Sequence, residues 1–221
     1  MISKMNNKTK FFLIIVTFLF SYSIYANDKF SINQNTLYYD TDIEGLEYPG
    51  IGSGKDGLED VQYLYDVLLE YPEIKTIQLN SSGGDLEIAY LMTDYIIDFE
   101  LDTHVVGTCE SACTLLFIAG ANRSVERGSW LGFHQSYWDP EDARRYYESE
   151  KDNAGWKDEF EYASWVYTIT QSDILRDMKF FIEREIDPLF AIKTMTATSD
   201  DMWFPRRKEL EKANVITVLK E

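Results

Sequence analysis

Only two residues of this chain carry an imidazole, His104 and His134, and only two carry a thiol, Cys109 and Cys113. Hydrolysis without a metal needs a nucleophile, a base within hydrogen-bond reach, a group that orients the base, and N–H donors for a developing oxyanion. His104 lies inside Thr103-His104-Val105-Val106, a strand-like run, and reads as structural or surface-facing. His134 closes Gly132-Phe133-His134-Gln135, where a strand enters a loop. Strand ends are where α/β sheets present reactive groups, so His134 is the better candidate base. Ser111 sits between a strand and an apolar helix, in Thr108-Cys109-Glu110-Ser111-Ala112-Cys113. A serine there projects its hydroxyl at a helix N-terminus, where free N–H groups favour negative charge. The same position equally suits a serine that caps its own helix. It is not a Gly-x-Ser-x-Gly elbow, because cysteines fill both glycine positions. Ser82-Gly83-Gly84 is a second turn of interest: paired glycines before a helix can offer backbone N–H groups to a ligand, or simply turn the chain.

These residues must be held by a regular scaffold, and the pattern supplies one. Thr36-Leu37-Tyr38-Tyr39 reads as a short strand after a loose polar lead-in over 27–36, and glycines punctuate the loop that follows. Leu58, Val61, Leu64, Tyr65 and Leu68 recur at helical spacing, and Tyr71-Pro72 closes that helix. The spacing then predicts a strand over 75–80, a helix over 86–99, a strand over 103–107, a buried helix over 111–119, and short strands at 124–125 and 131–133. Alternating strands and helices argue an α/β domain with a mainly parallel sheet. From Asp139 to about Glu185 charges interleave with aromatics. Trp156, Phe160, Ala163, Tyr167 and Thr170 fall on one face of a long helix, continued by Ile174, Met178, Phe181 and Ile182. That stretch reads either as an amphipathic helix packed on the body or as an arm that meets another subunit.

Composition removes other classes. With 38 acidic and 21 basic residues the formal charge is −17, which repels phosphate backbones and anionic lipid and argues against nucleic-acid binding. Two histidines and two cysteines are too few for zinc fingers or a disulfide framework. The first ten residues carry Lys4, Lys8 and Lys10 and no acid. An apolar run over 11–20 follows, and small Ala26 precedes Asn27-Asp28. This predicts a signal peptide over 1–26 and export, to a bacterial periplasm or beyond, with no stable membrane span after cleavage. The alternative is an uncleaved anchor, against which the run is short. Residues 27–221 then form one domain.

Taken together, the strand, Ser-Gly-Gly turn, helix, strand, Ser111 turn, apolar helix, short strand and His134 occur in an order that resembles the proteolytic subunit of the Clp protease. That subunit belongs to the crotonase-like superfamily. The resemblance is strongest to an exported branch with a Cys-x-Ser-Ala-Cys motif, here Cys109-Glu110-Ser111-Ala112-Cys113. It spans about 36–136 and resumes at about 199–218. The implied fold is built of repeated β-β-α units with a mainly parallel sheet, enlarged by a helical insertion or arm over 139–185. Glu209-Leu210-Glu211-Lys212-Ala213-Asn214-Val215-Ile216 resembles the family's closing helix and last strand.

By position the resemblance implies Ser111 as nucleophile, His134 as general base, and the N–H groups of Gly84 and Ala112 as the oxyanion hole. Asp201 in Ser199-Asp200-Asp201-Met202-Trp203 would be the third triad member, with Asp200 the alternative. The implied activity is that of a serine peptidase on a peptide or protein, without cofactor or metal, in a homo-oligomer. Cys109 and Cys113 depart from the family's small residues. In an oxidising compartment they would either form a disulfide across the serine turn or remain two buried thiols. Two competing expectations are a catalytically inactive binding or scaffolding protein of the same fold, and acyl-thioester chemistry.

Overall fold

A computed structural model of the chain describes residues 27–46 and 50–217. The leader expected over 1–26 lies outside the described residues. One mixed sheet carries the fold, with strand order β1-β2-β3-β4-β5 and β6 paired to β4. The strands are β1 (Phe30–Asn33), β2 (Thr36–Asp40), β3 (Thr76–Ser81), β4 (Asp102–Glu110), β5 (Arg123–Val125) and β6 (Trp130–Gly132). The strands β2 to β6 pair in parallel, whereas β1 runs antiparallel on the edge. The lead-in expected to be loose therefore contains a strand, because Phe30 finds a buried place against the rings of Tyr39 and Tyr63.

The helices are α1 (Gly54–Glu70), α2 (Leu86–Asp98), α3 (Cys113–Ala119), α4 (Pro140–Ala154), α5 (Glu159–Glu183), α6 (Pro188–Thr194) and α7 (Arg207–Lys212). Each of the first three buries an apolar stripe: Val61, Leu64 and Leu68 on α1, Ile88, Met92 and Ile96 on α2. All seven residues of α3 are buried. Residues apolar on every side belong in an interior, and α3 lies against both β4 and α2. Its last carbonyls would be orphaned there, and two guanidinium groups satisfy them. Arg123 donates to Ile118 and Gly120, and Arg184 donates to Ile118, Ala119 and Gly120. Burial and the neighbouring Arg184 pull the Arg123 pKa down to about 10, still charged at neutral pH.

The long helix expected from Trp156 onward is present as α5, and a separate helix, α4, precedes it. Gly155 takes a left-handed conformation, φ 74°, that ends α4, and Asp158 accepts from the N–H groups of Phe160 and Glu161 to start α5. No residue of α4 is buried, and Phe160 and Tyr167 stand 84% and 70% exposed. The first half of the expected apolar face is therefore exposed, and of its continuation Met178 and Phe181 pack. Contact with the body comes late in α5, at Asp177, Phe181 and half-buried Met178 and Phe180. At the C-terminus the expected last strand is not formed among the described residues. Thr217 instead lies beside β5, its N–H donating to Arg123 O at 3.0 Å.

Candidate active site

The site begins with an irregularity in β4. Val105 pairs with Leu79, but the next partner of β3, Ser81, pairs with Cys109, so extra residues bulge out of β4. Gly107 makes the bulge, at φ 94°, where a Cβ would lie 2.4 Å from Asn80 Oδ1. Asn80 fills the gap by accepting from Thr108 N–H at 3.0 Å. Beyond the bulge β4 leaves β5 and pairs with β6, Thr108 to Trp130 and Glu110 to Gly132. This exchange of partners sets the ends of β4 and β6 side by side. Ser111 follows one and Phe133-His134 follows the other.

Ser111 sits at φ 52°, left-handed backbone that a non-glycine residue adopts only when its surroundings impose it. Several contacts do so. Its N–H donates to Gly132 O at 2.9 Å, and its carbonyl accepts from Thr114 N–H at 2.9 Å and Thr114 Oγ1 at 2.7 Å. A disulfide joins Cys109 to Cys113 across the turn, with Cα atoms 5.2 Å apart. The serine does not cap α3 with its side chain; Ala112 occupies the N-cap and no side-chain cap is made. Its hydroxyl faces elsewhere. Ser111 Oγ lies 2.7 Å from His134 Nε2.

His134 is pinned from both sides. Phe133 exchanges two backbone hydrogen bonds with Trp203, at 2.9 and 3.0 Å, and Gln135 N–H donates to Ala197 O at 2.9 Å. Phe133 packs edge-on against Phe190 and tilted against Trp203. In the tautomer that takes a proton at Nε2, Nδ1 carries the hydrogen and needs an acceptor. Nδ1 is buried and has no hydrogen-bond partner among the described residues. The third-member expectation thus meets a different geometry. The Asp201 carboxylate accepts from Met202 N–H at 2.8 Å, and Asp200 accepts from Thr198 Oγ1 at 2.7 Å. Both side chains are exposed and occupied with their own turn, where short Asp side chains readily bond neighbouring backbone and hydroxyl groups.

The Ser82-Gly83-Gly84 turn presses against the serine. A Cβ on Gly83 would meet Ser111 Cβ at 2.7 Å and Ala112 N at 3.1 Å, so only glycine fits. The turn is held by Gly83 N–H donating to Ser81 Oγ at 3.1 Å and by Asp42, which accepts from Ser82 N–H at 3.1 Å. The loop at Ile51 donates its N–H to Gly83 O at 2.7 Å and accepts from Asp85 N–H at 3.0 Å, flanking Gly84 on both sides. Neither Gly84 N–H nor Ala112 N–H donates to any acceptor among the described residues. Two unused backbone donors beside a serine hydroxyl are what an oxyanion would need.

His104, by contrast, faces away from this site. It lies in β4, its Nδ1 2.8 Å from Ser124 Oγ and its Nε2 3.8 Å from Glu126. Two acids escaped the sequence reading. Glu110 precedes Ser111 within electrostatic range of His134; partial burial and then Asp42 push its carboxyl up. Asp177 lines the cleft that holds Ser111 and His134. A usable signal for Asp177 was its spacing, three residues after Ile174 and four before Phe181, within an apolar stripe.

No family model and no curated protein sequence matches this chain. Among solved structures, a point mutant of ClpP1 from Listeria monocytogenes is similar, with a TM-score of 0.53 at 16% identity. The match covers 83% of this chain and 89% of that one. At that identity the likeness speaks to architecture, and the chain has a Clp protease-like fold.

Proposed function

We propose that the chain is an exported serine hydrolase that cleaves peptides. The observation that carries this reading is the 2.7 Å contact between Ser111 Oγ and His134 Nε2 beside two undonated N–H groups. His134 takes the proton of Ser111 as its oxygen attacks a carbonyl. The N–H groups of Gly84 and Ala112 receive the oxyanion, and the imidazolium returns the proton to the leaving amine. Asp201 turns from Met202 N–H to accept from His134 Nδ1 when the imidazolium forms, since a buried cation without a partner is costly. Residues 1–26 direct export, and an oxidising compartment agrees with the Cys109–Cys113 bond. The hairpin of α4 and α5 is the enlarged insertion of this fold, and the protein assembles as a homo-oligomer.

The second reading, an inactive binding protein of the same fold, is favoured by one observation: His134 Nδ1 lacks an acceptor at rest. The two separate in an assay of unfolded casein and peptide p-nitroanilides with protein beginning at Asn27. A hydrolase releases product and loses that activity in Ser111→Ala. Folded wild-type protein no faster than the variant leaves the binding reading.

A further inference from the structure

One charged group in the cleft has no role in this chemistry. Asp177 projects from α5 into the space lined by Ser111, His134, Leu115, Phe133 and Phe181. It is only 9% exposed, yet no cation forms an ion pair with it among the described residues. One of its oxygens accepts from the hydroxyl of Tyr90 on α2; the other has no hydrogen bond among the described residues. The adjacent cation is committed elsewhere. Arg176 donates to both oxygens of Glu87, at 2.6 and 3.2 Å, lies 4.0 Å over the Tyr90 ring, and approaches Asp173 at 3.7 Å. Two other carboxylates, Glu87 and Asp173, thus hold that guanidinium.

A nearly buried carboxyl is normally paired, because desolvation penalises its charged form. Burial does push the Asp177 carboxyl up, against the opposing pull of the Tyr90 hydrogen bond and Arg176. Tyr90 satisfies one of roughly four acceptor positions on a carboxylate. The rest open onto a cleft whose walls, Leu115, Met178 and Phe181, would cover an aliphatic stem while its charged end reached the acid.

We propose that Asp177 determines specificity: its carboxylate receives an ammonium or guanidinium group of a peptide whose scissile carbonyl lies at Ser111. The incoming cation supplies the counter-charge that the fold withholds, and Tyr90 aims the carboxylate at it. This rests on the hydrolase reading for the position of the carbonyl but not for the binding itself. The cation is either a lysine or arginine side chain or the N-terminal ammonium.

The test compares phosphonylation of Ser111 by three diphenyl phosphonates: N-acetyl-lysine, N-acetyl-norleucine, and norleucine with a free amine. One of the cationic probes should react at least about tenfold faster than N-acetyl-norleucine, as expected for a desolvated charge pair. The lysine or the free-amine probe shows which cation is meant. In Asp177→Asn, whose amide oxygen still accepts from Tyr90, that ratio should fall towards one. Asp177→Glu should keep part of it, which separates loss of charge from loss of fold. No cationic advantage, or one that survives Asp177→Asn, overturns the proposal. A small neutral fluorophosphonate reports on the nucleophile alone. If it leaves Ser111 unlabelled, the hydrolase reading fails. Binding of N-acetyl-lysine methylamide and of norleucine amide, followed by NMR against N-acetyl-norleucine methylamide, then decides: binding of either cation that Asp177→Asn abolishes supports the proposal, and its absence refutes it.

Discussion

The Ser111 turn and the α4–α5 hairpin are built on opposite principles. The turn is a few residues fixed by a bulge, a disulfide, a close glycine and backbone hydrogen bonds from β6 and α3. The hairpin spans more than forty residues and is held by side chains alone. Trp156 lies 5.0 Å from both Tyr162 and Trp165, Tyr146 stacks on Trp165 at 5.9 Å, and Tyr162 donates its hydroxyl to Ala143 O. Strained, over-determined backbone is what a preorganised reacting group requires. A ring cluster on exposed helices holds its own hairpin together and leaves the turn's geometry alone. Only where α5 returns to the body, at Asp177 and Phe181, do the two regions meet.

That contrast can be broken most severely at Gly83. Gly83→Ala introduces a methyl at φ 94° facing Ser111 Cβ at 2.7 Å and Glu110 O at 2.6 Å, which must displace the turn. Since loss of one oxyanion donor costs roughly 10²–10³ in rate, fluorophosphonate labelling should slow by about that factor. An unchanged rate would mean the turn does not support the nucleophile. Next comes Asp201→Asn, which keeps the acceptor for Met202 N–H but cannot stabilise an imidazolium. The rate constant for labelling should fall by about tenfold or more. No change would define a serine–histidine pair working without a third residue.

The disulfide gives a smaller and different effect. With three residues between its cysteines, the closed loop is short, and replacing both by serine should cost about 2 kcal/mol of unfolding free energy in urea denaturation. Labelling should slow in the same variant, because Ser111 loses a restraint on its left-handed backbone. Smallest of all is Trp165→Ala. Removing the centre of the aromatic cluster should loosen the hairpin, visible as faster amide exchange over 140–170, while the labelling rate stays within about twofold. A large fall in rate would tie the hairpin to the chemistry.

Much of the sheet was legible because its strands carry period-two burial and its helices a clean apolar stripe; β3 and α1 are examples. Ser111 and His134 were legible for a different reason. Reactive residue types are scarce in this chain, and both stand at strand ends. What escaped has physical causes. Phe30–Asn33 is buried at a single residue, so an edge strand carried no alternating pattern. The separate helix α4 was not legible because none of its residues is buried, although glycine before an Asp N-cap is a stop-and-start signal. Apolar periodicity named only part of the packed face: Met178 and Phe181 pack and Phe160 and Tyr167 face solvent, while buried Asp177 carries a charge that periodicity discounts. Asp201 was assigned by position in a motif. No spacing rule reports that a carboxylate already bonds its own turn.

Hydrolysis at this site requires Ser111 and His134 to act as one unit. Intact mass spectrometry of the protein beginning at Asn27, after a neutral fluorophosphonate, should find a single adduct. Peptide mapping should place it on Ser111, and it should be absent from Ser111→Ala and at least about a hundredfold slower in His134→Ala. Folded wild-type protein that takes no adduct, or one that reacts equally well without His134, would contradict it.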